Sequence, residues 1–65
     1  MKTLRQLNTK QLKARQLRLI GKIIDLEEQL KYVSRKERIS IEDKIYNLEL
    51  DIQFINDLIK EQELN

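Results

Sequence analysis

The stretch LIGKIIDLEEQLKYVSRKERISIEDKIYNLELDIQFINDLI, residues 19–59, carries two apolar seams on either side of a polar middle. The first seam is Leu19, Ile23, Leu26, Leu30 and Val33; the second is Ile41, Ile45, Leu48, Ile52, Ile55 and Ile59. Both advance by alternating steps of four and three, the spacing that keeps apolar residues on one side of a helix facing another helix. Laid antiparallel, Val33 meets Ile41, Leu30 meets Ile45, Leu26 meets Leu48, Ile23 meets Ile52 and Leu19 meets Ile55. The position numbers of each pair total 74 or 75, the constancy that a helical hairpin requires. The expected fold class is therefore all-α, an antiparallel helical hairpin of two helices of about 23 to 25 residues each.

Working outward, the turn is expected over 34–40. Residues 34–38 are wholly polar, Ser40 is a natural N-cap, and Asp43 stands three positions beyond it as in a capping box. The single domain then reads as a flexible basic N-terminus over 1–8, helix 1 over 9–33, the turn, and helix 2 over 41–63. No Gly or Pro lies between Tyr32 and Ile41, so one continuous rod is the alternative. That rod would place Glu37, Ser40, Lys44 and Asn47 in the seam, and four polar residues in succession leave a hole there. Before the seam, Arg5-Gln6-Leu7, Lys10-Gln11-Leu12 and Arg15-Gln16-Leu17 repeat a five-residue phrase. Such a step turns about 140° around a helix, so its leucines form no stripe. Asn8 or Thr9 is the expected cap, and Gln16 falls opposite Ile59 as a polar break that fixes register.

Both helices carry additional apolar residues away from the seam. Leu17, Ile20 and Ile24 cluster on helix 1, and Tyr46, Leu50, Phe54 and Leu58 follow at i+4 spacing on helix 2. A helix with two apolar faces needs two partners, so the expected assembly is a homodimer forming a four-helix bundle. The alternatives are that these residues only widen a single core, or that they form a groove for a different protein. Gly21, the single glycine, costs ~1 kcal/mol of helix propensity relative to Ala. It marks either an exposed face or the close approach of another helix.

Size points the same way, since a chain of 65 residues buries a marginal core and has no Cys or His with which to staple it. The net charge of +2 hides a gradient. Residues 1–22 hold seven bases (Lys2, Arg5, Lys10, Lys13, Arg15, Arg18, Lys22) and no acid, whereas residues 39–65 hold seven acids against Lys44 and Lys60. Bases at the start of helix 1 and acids at the end of helix 2 oppose each helix dipole. In a hairpin these ends adjoin, so Lys10, Lys13 and Arg15 are expected to face Glu61, Glu63 and Asp57.

Composition also narrows the function. Without His or Cys there is no Ser-His-Asp triad, thiol nucleophile or ordinary zinc site, and no glycine-rich phosphate loop is present. Asp57 and Glu61, one turn apart, read as solvated surface charge. No enzyme, catalytic or metal residue, cofactor or small-molecule substrate is expected. Glu49-Leu50-Asp51 resembles the end of the Ser-Gln-Glu-Leu-Asp motif of the small aspartyl-phosphate phosphatases of sporulation control in Gram-positive bacteria. Asn47-Leu48 stands where that motif has Ser-Gln, and three shared residues transfer no activity. In outline, a hairpin that pairs into a bundle also resembles the plasmid-encoded Rop RNA-binding regulators, in architecture alone.

Residues 1–12 lack a continuous apolar run, and no stretch approaches the ~20 apolar residues that span a bilayer. No membrane association is expected, and the expected location is cytoplasmic. The expected function is that of a small regulator or adaptor, binding a protein through Tyr46, Leu50, Phe54, Leu58, Leu17, Ile20 and Ile24. The alternative is a nucleic-acid-binding hairpin that uses Arg5, Lys10, Lys13, Arg15 and Arg18, although residues 1–22 offer no aromatic for base stacking.

Overall fold

In the computed structural model, which describes residues 6–64, the chain is a hairpin of two packed helices, α1 (Thr9–Gln29) and α2 (Arg35–Leu64). No strand occurs among the described residues. Asn8 starts α1 from an extended conformation: its side-chain oxygen accepts the Gln11 backbone N–H at 2.8 Å, while the Gln11 side chain accepts the Asn8 N–H at 3.0 Å. This reciprocal box satisfies two donors that a helix start would leave open.

The helices differ in length from the sequence expectation, with 21 residues in α1 and 30 in α2, and the reversal lies earlier than 34–40. α1 stops at Gln29, and its end tightens through bonds from Lys31 N–H to Glu28 O and from Tyr32 N–H to Gln29 O, an i→i+3 pattern that uses the last carbonyls. Val33 therefore belongs to the turn rather than to helix 1. Ser34, not Ser40, occupies the cap of α2: its carbonyl accepts Arg38 N–H at 2.9 Å and its hydroxyl accepts Glu37 N–H at 3.5 Å. Glu37, in the first turn of α2, also suits the positive end of the helix dipole. Ser34→Ala is expected to destabilise the hairpin by ~0.5–2 kcal/mol, whereas Ser40→Ala, now inside a helix, changes little or stabilises. Urea denaturation of the two variants side by side checks this.

Every seam residue is buried or half-buried, so the antiparallel hairpin stands, but its open end is displaced by about one turn. Leu12, which is 0% exposed, packs in a cluster with Ile55, Leu58 and Ile59, and so takes the place against Ile59 expected of Gln16. Gln16 instead donates to the Ile52 carbonyl at 3.3 Å. Ile41 and Ile45 are also buried, nearer the turn. At the open end Gln62 forms a clasp: Thr9 Oγ1 donates to its Oε1 at 2.7 Å, and its Nε2 donates to the Leu7 carbonyl at 2.6 Å. Residues 1–5 of the basic segment expected to be flexible lie outside the described residues, but Leu7 and Asn8 are tied in, Leu7 packing on the core cluster. The molecule measures 47 × 23 × 15 Å. α2 sets its length, at ~1.5 Å per residue, and the slab is about one helix thick. Side chains outside the mutual seam thus meet solvent on two broad faces or two edges.

Candidate interaction surfaces

One broad face carries a groove of about 430 Å³, lined by Lys22, Asp25 and Leu26 of α1 and by Lys44, Asn47, Leu48 and Asp51 of α2. The half-buried Leu26 and Leu48 are its apolar lining, and the charged and amide side chains complete it. Beside it, Arg15, Arg18 and Lys22 share a smaller hollow of about 150 Å³ with Leu19.

The opposite face carries exposed apolar side chains among charged ones, since Lys13, Glu27 and Glu42 fall on it by helical arithmetic. Ile20 and Ile24 each stand two residues from Lys22, and Tyr46 stands two residues from Lys44, so all three point about 160° away from the groove-lining lysines at 100° per residue. Leu17 adjoins Ile20 and Ile24 at helical spacing. All four are open to solvent, with Leu17 69%, Ile24 58% and Tyr46 59% exposed. Leu50 and Phe54 are also exposed but continue around the edge of α2, because an i+4 stripe turns about 40° at every step. Three such steps carry the stripe about 120° from Tyr46, which brings Leu58 into the core beside Leu12. Leu58, 6% exposed, is thus a core residue and not part of an interaction face. A Cβ added at Gly21 would meet nothing within 4 Å, so within the hairpin the glycine serves no close approach of α2.

The basic residues separate in the same way. Lys13 pairs with Glu63 across the open end at 3.8 Å, one of the crossings expected from the charge gradient. Both partners are more than half exposed, so such a pair contributes at most ~1 kcal/mol. Lys10 is exposed, and Arg5 lies outside the described residues. Arg15 and Arg18 are brought together with Lys22, a residue outside both apolar seams. The groove was missed as well. Its signal was the recurrence of Lys22 and Asp25 on one helix and of Lys44 and Asp51 on the other, but only the hairpin joins the two sets.

Among the described residues, no group of three His, Cys, Asp or Glu side chains is placed to hold a metal ion, and no buried side-chain polar atom lacks a hydrogen bond. Among the described residues, no helix is long and apolar enough to cross a membrane. Compared with protein-family models, curated proteins and solved structures, the chain matches none.

Proposed function

We propose that the protein is a small, non-enzymatic regulator or adaptor of the cytoplasm that acts as a homodimer and binds a protein partner through the face formed by Leu17, Ile20, Ile24 and Tyr46, with Leu50 and Phe54 at its edge. The carrying observation is that these six large apolar side chains are all exposed, while six others make up the buried core among the described residues. Monomeric proteins rarely leave contiguous apolar surface of this kind uncovered.

A nucleic-acid reading has one observation in its favour, the shared hollow of Arg15, Arg18 and Lys22, none of which is in an ion pair among the described residues. One experiment separates the two. Tagged wild-type chain, Ile24→Asp, Leu50→Asp and Arg15→Gln/Arg18→Gln are used to capture partners from the native cell at low and high salt. The adaptor reading expects a protein that is lost with Ile24→Asp or Leu50→Asp and retained at high salt. Nucleic acid that dissociates steeply with salt and is lost with the arginine variant would replace it.

A further inference from the structure

The groove carries four charges in an arrangement that suits one particular occupant. Because the helices are antiparallel, the direction that runs from Lys22 to Asp25 on α1 runs from Asp51 to Lys44 on α2. Lys22 thus lies toward the same end as Asp51, and Asp25 toward the same end as Lys44, so like charges sit at opposite corners. Among the described residues none of the four is in an ion pair, so all four charges are available. Between them lie Leu26 and Leu48, which the closed hairpin leaves partly exposed.

From this pattern we infer that the groove is the homodimer interface, occupied by a second copy of the same chain. The inference rests on the homodimer proposed above and assigns it a face. A twofold axis along the helices sets Lys22 over Asp51 of the second copy and Asp25 over its Lys44. A twofold axis across the helices sets Lys22 over Asp25 of the second copy and Lys44 over its Asp51. Either twofold brings opposite charges together, so the face is complementary to itself, as an isologous interface requires. Burial of the two leucines from each copy supplies attraction, and the charges select the partner and its register. The apolar face opposite stays open on both sides of the dimer, which leaves it free for the protein partner and makes the adaptor bivalent.

Charge exchange tests this directly. The variant Lys22→Asp/Lys44→Asp makes all four groove charges acidic, and Asp25→Lys/Asp51→Lys makes them all basic. All four side chains are solvent-exposed, and helix content by circular dichroism verifies that each variant folds. Sedimentation equilibrium is expected to give twice the chain mass of 7.9 kDa for the wild type. Each variant alone should dimerise at least tenfold more weakly, and an equimolar mixture should regain the doubled mass as a heterodimer. Ile24→Asp should keep it. A wild type that sediments as a single chain at 100 μM overturns the inference, as do variants that dimerise unaided or stay apart when mixed. Loss of the dimer with Ile24→Asp alone moves the second copy to the apolar face. The partner reading fails separately, through capture that Ile24→Asp leaves unchanged.

Discussion

Leu12→Ala is expected to cost ~2–5 kcal/mol of stability, the usual range for truncating a core leucine whose cavity does not collapse. For 65 residues the total folding free energy is itself only ~3–10 kcal/mol, so the variant should be largely unfolded under conditions where the wild type is folded. The reason is placement. Among the described residues, Leu12 and Ile55 are the side chains removed most completely from solvent, and Leu12 is the buried residue that α1 adds to the cluster of Ile55, Leu58 and Ile59 on α2. Leu17, five residues on, belongs to the same repeated Lys/Arg-Gln-Leu phrase and is 69% exposed. Leu17→Ala should therefore shift stability by no more than ~0.5 kcal/mol. Urea denaturation followed by far-UV circular dichroism, at one fixed protein concentration, compares the pair. Equal losses from the two substitutions would contradict the packing described.

The contrast between these leucines shows what the letters could and could not tell. The seams were legible because steps of three and four leave few alternatives, and every residue of both seams is shielded at least in part. Leu12 belongs to the same series, one heptad before Leu19 and two before Leu26. The five-residue phrase and the intervening Gln16 concealed it. Gln16 keeps its seam position because its amide reaches a backbone carbonyl, a contact that no periodicity reveals. The turn was misplaced for a different reason. Ser34 with Glu37 and Ser40 with Asp43 are both capping signatures, six residues apart, and local chemistry alone does not choose between them. No described residue adopts a positive φ, so the reversal needs no glycine to mark it. The groove was the least legible feature, since its charges are unremarkable on either helix alone and acquire meaning only across the hairpin.

Leu58→Asp and Leu50→Asp should give opposite outcomes although the two positions share one i+4 stripe. At position 58 a carboxylate would replace a side chain that is 6% exposed and packed among Leu12, Ile55 and Ile59, with no cation described within that cluster. An unpaired buried charge of this kind costs more than ~4 kcal/mol or is neutralised by protonation, and either way the core loses a leucine. The expected result is loss of most helical signal at neutral pH and 25 °C. At position 50 the side chain is 45% exposed on the outer edge of α2, where an aspartate remains hydrated. Its helix content and urea midpoint should stay close to wild type, while capture of the protein partner is lost. Circular dichroism with partner capture on both variants reads the two effects apart. If Leu58→Asp folds normally, the 40° advance per step that turns this stripe from the surface into the core is wrong. If Leu50→Asp unfolds, the outer edge of α2 is part of the structural core and is not available to a partner.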